Sequence, residues 1–87
     1  MKTIYKYKLY SLKTLIELPC NHEILHVNSQ DNTPTIWIKV DTDQTNIQPK
    51  IFYVFATGQP LPENVDSMVF IGTAHCGTLV WHIFSED

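Results

Sequence analysis

The stretch EILHVNSQDNTPTIWIKVD, residues 23–41, decides the fold class. Two runs flank a polar centre, Glu23 to Ser29 and Thr35 to Asp41. In each, apolar and polar side chains alternate with a period of two, the period of a strand and not of a helix. Between them stands Gln30-Asp31-Asn32-Thr33-Pro34. Asp and Asn tolerate left-handed backbone, so this centre reads as a tight turn closing an antiparallel hairpin.

The same period recurs on both sides. Ile4 to Tyr10 alternates Tyr5, Tyr7 and Leu9 with Lys6 and Lys8. Thr14 to Leu18 stops at Pro19, which has no N–H for a ladder. These two runs are expected to form a hairpin through Tyr10-Ser11-Leu12-Lys13. Asp41 to Pro49 reads as a polar loop. Lys50 to Thr57 is another strand, ended by Gly58-Gln59-Pro60-Leu61-Pro62-Glu63-Asn64, because closely spaced prolines do not fit a central strand. Ser67 to Thr73 and Thr78 to Phe84 flank Ala74-His75-Cys76-Gly77 and form a last hairpin. One helical turn at most is expected, near Asn64-Val65-Asp66. The charged tail Ser85-Glu86-Asp87 is expected to fray. The chain reads as a single all-β domain over residues 1–87, mainly antiparallel. Its small twisted sheet should close into a barrel or a two-layer sandwich of about six to seven strands.

Strand parity assigns two faces. The core face holds Tyr5, Tyr7, Leu9, Leu25, Val27, Ile36, Ile38, Val40, Phe52, Val54, Leu79, Trp81 and Ile83. The second face holds Lys6, Lys8, Ile24, His26, Trp37, Lys39, Ile51, Tyr53, Phe55, Val80, His82 and Phe84. A half-solvated sheet carries polar residues on its second face. Here that face is rich in aromatics, which suits an interface, a ligand site or a second buried layer.

Composition bounds the function. A chain of 87 residues has a thin core, and small domains often gain stability by oligomerising. Only 17% of residues are charged, which favours subunit contacts over a fully solvated surface. Net charge is −3, and all six cations are Lys, with no Arg. Arg is the preferred side chain for phosphate and base recognition, so nucleic-acid polymers are poor candidates. A small phosphorylated ligand needs only one or two Lys and some backbone N–H groups. Cys20 and Cys76 are expected to be free thiols in a reducing host cytoplasm, since no signal peptide or membrane span is visible.

The chemistry-bearing groups do not assemble into a motif. Cys20, His22 and His26 lack paired zinc spacings, so no metal or cofactor is expected. His75 and Cys76 are adjacent, and adjacent strand side chains point apart, which weakens a Cys–His pair. Asp41, Asp43, Glu63 and Asp66 read as solvated loop charges. No Walker or dinucleotide fingerprint is present. Glycine turns at Thr57-Gly58 and Gly72-Thr73 expose N–H groups that suit an anion. Lys6, Lys8 and Lys39 share one parity, giving either a positive patch or protection of a sheet edge.

Several blocks in order carry a resemblance: Ile4-Tyr5-Lys6-Tyr7, Leu18-Pro19, Glu23-Ile24-Leu25-His26-Val27 with Gln30, Ile36-Trp37 with Val40-Asp41, Thr57-Gly58-Gln59-Pro60-Leu61-Pro62, Phe70-Ile71-Gly72-Thr73 and Val80-Trp81-His82-Ile83-Phe84. The chain resembles a family of short phage and bacterial proteins of unknown function. Members carry a glycine near Cys20 and Asn21, which this chain lacks. They also carry a Thr-Gly-x-Pro turn, which it keeps.

The resemblance implies a phage setting and a stoichiometric, non-enzymatic role. The function expected is a homo-oligomer that sequesters a small nucleotide-like or anionic signal and so counters host defence. The alternatives are an inhibitor that binds a host protein, or an accessory structural protein. Lys6, Lys8, His26, Gln30, Trp37, Tyr53, Thr57, Gly58, Thr73 and His82 are the candidate ligand contacts. Trp37, Tyr53 or Phe55 would stack on a base.

Overall fold

The computed structural model describes residues 1–86. Seven strands follow in order: β1 (Lys2–Lys8), β2 (Lys13–Pro19), β3 (Glu23–Gln30), β4 (Thr33–Asp41), β5 (Ile47–Ala56), β6 (Val69–Cys76) and β7 (Leu79–Ser85). A single 3₁₀ turn, Glu63–Ser67, precedes β6, at the place expected for a helical turn. The strands form two sheets, one ordered β1-β4-β3 and the other β2-β5-β7-β6, and every pairing is antiparallel. The sheets are not closed into a barrel; the architecture is the two-layer sandwich.

Two of the three expected hairpins are present. Asp31 and Asn32 turn β3 into β4 with φ of 52° and 60°, so only two residues join the strands. Gly77, at φ 62°, and Thr78 do the same between β6 and β7. Both turns place left-handed backbone where the residue type permits it.

The hairpin expected between the first two runs does not form. The Leu9 N–H donates to the Pro34 carbonyl at 2.8 Å, extending β1 along β4. The Val54 N–H donates to the Leu12 carbonyl at 3.0 Å, extending β2 along β5. Tyr10 and Ser11 therefore carry the chain from one sheet to the other, with Leu9 buried at the crossing. The segment read as a loop up to Pro49 is also shorter than expected, because β5 begins at Ile47.

The core lies between the sheets. Ile36, Ile38 and Val40 of β4 face Phe52 and Val54 of β5 and Ile83 of β7. Phe52 and Ile38 are 0% exposed. Ile16 and Leu18 of β2 join them, although parity in the sequence did not assign them. Three residues assigned to the core are exposed instead: Tyr5, Leu25 and Leu79. Leu25 is displaced by a bulge between Ile24 and His26, which turns Ile24 inward. Tyr5 sits on β1 and Leu79 at the β6–β7 turn, where the opposing layer gives no cover.

A second bulge lies between Phe70 and Gly72 of β6. The bulged strands β3 and β6 are the edges of their sheets and meet at one corner. There a Cβ on Gly72 would stand 2.9 Å from the Val27 Cβ. At the chain end, Ser85 is buried and the Glu86 N–H donates to the Ile51 carbonyl at 3.0 Å, so the sheet holds the tail to that point. Asp87, the rest of the tail expected to fray, lies outside the described residues.

Candidate functional site

The ten residues singled out in the sequence fall on two outer faces that meet at the β3–β6 corner. On the three-stranded sheet, register sets Lys6, Trp37 and His26 side by side across β1, β4 and β3. The His26 and Trp37 rings are tilted, with centroids 5.6 Å apart. Lys6 stands opposite Trp37 on the other neighbouring strand. This row places a cation and an imidazole on the strands either side of a half-buried indole.

Lys8 and Gln30 do not join that row. The Lys8 ammonium donates to Asp31 at 2.7 Å, beside the β3–β4 turn. This bond holds the Asp31 carboxyl below its ordinary range and raises Lys8 above its own. Lys39 is likewise paired, to Glu23 at 2.8 Å, and that hydrogen bond lowers Glu23. Of the three Lys expected to share a positive patch, two are therefore matched by carboxylates. Gln30 buries its side-chain oxygen at the end of β3 with no partner among the described residues.

The outer face of the four-stranded sheet is the more enclosed. One aromatic row crosses all four strands: Phe70 of β6, Phe84 of β7, Tyr53 of β5 and Lys13 of β2. Phe70 and Phe84 meet edge to face at 5.3 Å, and the Lys13 ammonium lies 5.9 Å from the Tyr53 ring centre. Phe55 stacks against Tyr53 at 6.3 Å and meets Phe84 edge to face at 5.7 Å. The turn after β5 folds over Phe55, which is only 8% exposed despite its outward parity.

That turn is built by Gln59. The Ala56 N–H donates to the Gln59 side-chain oxygen at 3.0 Å, and the Gln59 N–H donates back to the Ala56 carbonyl at 3.0 Å. Gly58 supplies the left-handed step at φ 89°. Under this turn lies a pocket of about 230 Å³, lined by Phe55, Ala56, Thr57, Gly58, Gln59, Leu61, Phe70, His82 and Phe84.

His82 is held at both ring nitrogens. Its Nε2 lies 2.7 Å from the Thr57 hydroxyl, and its Nδ1 lies 3.2 Å from the Thr73 hydroxyl. One set of protons satisfies every group. The Nε2–H donates to Thr57, Thr57 donates to the Val80 carbonyl 3.5 Å away, and Thr73 donates to Nδ1. The imidazole is thereby fixed as one edge of a pocket that Phe55, Phe70 and Phe84 also wall.

Thr73 also lines a cleft of about 290 Å³ at the β3–β6 corner, together with Ile24, Leu25, His26, Val27, Ile71 and Gly72. Lys6, Trp37, His26, Thr73, His82, Thr57 and Gly58 thus run as a band around that corner. Tyr53 lies beside the band through its stack on Phe55.

Sequence reasoning missed an opening of about 550 Å³ at the end of the sandwich where Tyr10 and Ser11 cross between sheets. Leu9, Tyr10, Leu12, Pro34, Cys76 and Trp81 are among its walls. No local pattern around Tyr10-Ser11 signalled it. Cys76 points inward there, its Sγ 3.3 Å from the Ser29 hydroxyl, whereas His75 is exposed on the opposite face. His82 pairs in register with Thr73, so it does not approach Cys76. His22 donates through Nδ1 to the Pro19 carbonyl at 2.7 Å, which shapes the loop after β2. Among the described residues no His, Cys, Asp and Glu group is arranged to hold a metal, and no helix is long and apolar enough to cross a membrane.

The whole sequence, residues 1–87, matches the family described as a domain of unknown function, DUF7352. The chain belongs to that family. No curated protein and no solved structure matches it. The DUF7352 sandwich thus carries a phenylalanine-walled pocket with one fixed imidazole and, around the corner, an indole between the register positions of Lys6 and His26.

Proposed function

We propose that this DUF7352 chain is a non-catalytic, phage-encoded binding protein that acts stoichiometrically as a homo-oligomer in the host cytoplasm. Its ligand is a small nucleotide-like signal of host defence, which it sequesters. The observation that carries the ligand class is the pocket of about 230 Å³ under Gly58 and Gln59. Its walls Phe55, Phe70 and Phe84 suit a planar ring, and base–aromatic stacking contributes about 1–3 kcal/mol per base. The Thr57–His82–Thr73 bridge fixes the Thr57 hydroxyl at one edge, where its remaining lone pair can accept a hydrogen bond from a base. The volume fits a base and not a whole nucleotide, so phosphate would lie outside, toward the Gly58 N–H, since the Ala56, Thr57 and Gln59 N–H groups are bonded within the fold.

The test is native mass spectrometry on protein purified from cells with an active nucleotide-based defence, followed by denaturation to release bound mass. A nucleotide-sized adduct in the wild type, absent in His82→Ala, supports the reading. Equal adduct in both variants removes this pocket, and no adduct in the wild type removes the ligand class.

A second reading has its own observation. Phe70 is 55% exposed and Leu61 49% exposed at the pocket rim, which suits an apolar side chain of a host protein docking on the same row. Stoichiometric co-purification of such a protein, without nucleotide, would favour it.

A further inference from the structure

We infer that β2 is a dimer edge, and that its partner is the β2 of a second copy, paired antiparallel about a twofold axis at Leu15. This rests on the homo-oligomeric part of the proposed function and not on its ligand.

The hydrogen-bond pattern identifies the free groups. The Leu12 carbonyl accepts from Val54 and the Cys20 N–H donates to Asn46, so the even-numbered residues of β2 exchange bonds with β5. In an antiparallel ladder the alternate residues face the other way. Lys13, Leu15 and Glu17 therefore direct their N–H and C=O groups outward from the sheet edge.

Centring a twofold axis on Leu15 sets Leu15 opposite Leu15 of the second copy. It also sets Lys13 opposite the second copy's Glu17, and the reverse pair follows by symmetry. All three pairs are of the closely bonded kind, so each exchanges two hydrogen bonds. The next outward residue is Pro19, which has no N–H, so the ladder stops where β2 stops. Shifting the axis by one residue puts Leu15 opposite Lys13 or Glu17 and loses the charge match. Lys13 and Glu17 are both exposed, and neither has a salt bridge among the described residues. Leu15 between them is 58% exposed.

The other edges are closed to this use. β3 and β6 are bulged and face each other at the corner. β1 carries Lys2, Lys6 and Lys8. An antiparallel self-pairing of β1 centred on Ile4, Tyr5 or Lys6 sets Lys against Lys. β2 is the regular, charge-complementary edge that remains.

The experiment is sedimentation equilibrium over a concentration series, without added ligand. The wild type should approach twice the 10.1 kDa chain mass. Lys13→Glu and Glu17→Lys should each weaken association on the order of tenfold, because each makes both symmetry-related pairs like-charged. The double variant Lys13→Glu/Glu17→Lys should recover the wild-type mass, since the charges are merely exchanged. Leu15→Pro removes only one N–H, an outward one, so it should fold, with the wild-type far-ultraviolet spectrum, and remain monomeric. A monomeric wild type, single variants that associate as the wild type does, or a double variant that stays monomeric would overturn the inference. The ligand reading is judged separately, by the adduct lost in His82→Ala.

Discussion

Replacing Gly72 with Ala tests the close approach that brings the two faces of the candidate site together. The new methyl carbon would stand 2.9 Å from the Val27 Cβ and 3.0 Å from its Cγ2. Carbon atoms pack best at roughly 3.5–4.0 Å, so the shortfall is half an ångström or more against two atoms at once. One of those atoms is a Cβ, which moves only with its backbone. Gly72 has no positive φ, so its backbone suits Ala, and a strand interior favours Ala over Gly by about 0.5–1 kcal/mol. Overpacking at a close contact costs about 1–3 kcal/mol. At the middle of both ranges the clash wins, for a net loss of about 1 kcal/mol.

In a domain of this size 1 kcal/mol corresponds to about 4–8 °C in Tm, so a fall of several degrees is expected. Urea titration should show a lower midpoint with an unchanged slope. Val27→Ala in the same background removes the Cγ2 contact and leaves the Cβ contact, so it should not restore stability. Gly72→Ala with stability at or above wild type would mean that β3 and β6 do not meet as described. The band from Trp37 to His82 would then not be continuous.

Truncating the centre should cost more: Phe52→Ala, at a fully buried position facing β4, should lose about 3–5 kcal/mol by urea denaturation. Gly77→Ala places a side chain at φ 62° in the β6–β7 turn and should cost about 1–2 kcal/mol by the same assay. Asp31 and Glu23 have folded pKa values below their unfolded ones, so their contribution is present above the ordinary carboxylate range and lost as pH falls through the folded values. Stability should therefore drop below about pH 4.5, and Asp31→Asn, which keeps a residue suited to the turn, should flatten part of that drop in a pH series of melts. Trp37→Ala should leave the fold intact, because its indole lies on the outer face, and should leave nucleotide adduct in place where His82→Ala removes it.

How much of this was legible depends on range along the chain. The β3–β4 and β6–β7 hairpins were readable because Asp31, Asn32 and Gly77 are residues that accept left-handed backbone between two alternating runs. The pairings β1–β4 and β2–β5 join distant segments, and nothing local to Tyr10-Ser11 announces that the chain changes sheet there. Parity gave most of the core, since Ile36, Ile38, Val40, Phe52, Val54 and Ile83 are all inward. It failed where one extra residue breaks the period: the bulge after Ile24 turns Ile24 in and leaves Leu25 out.

The same limit explains the candidate site. Parity says which side of its own strand a residue occupies, and it assigned Trp37 and Tyr53 to one common second face. A sandwich has two outer faces, so residues of like parity in different sheets point in opposite directions. Trp37 and Tyr53 are therefore on opposite sides of the molecule, and a single ligand on one chain does not stack on both. What unites part of the set is the corner, where two bulged edges meet and Thr73 stands between His26 and His82. A bulge shifts the parity that a sequence displays, and it also turns an edge away from further pairing. The two bulges thus close the β3–β6 corner to further pairing, which leaves β2 as the regular edge open to a second copy.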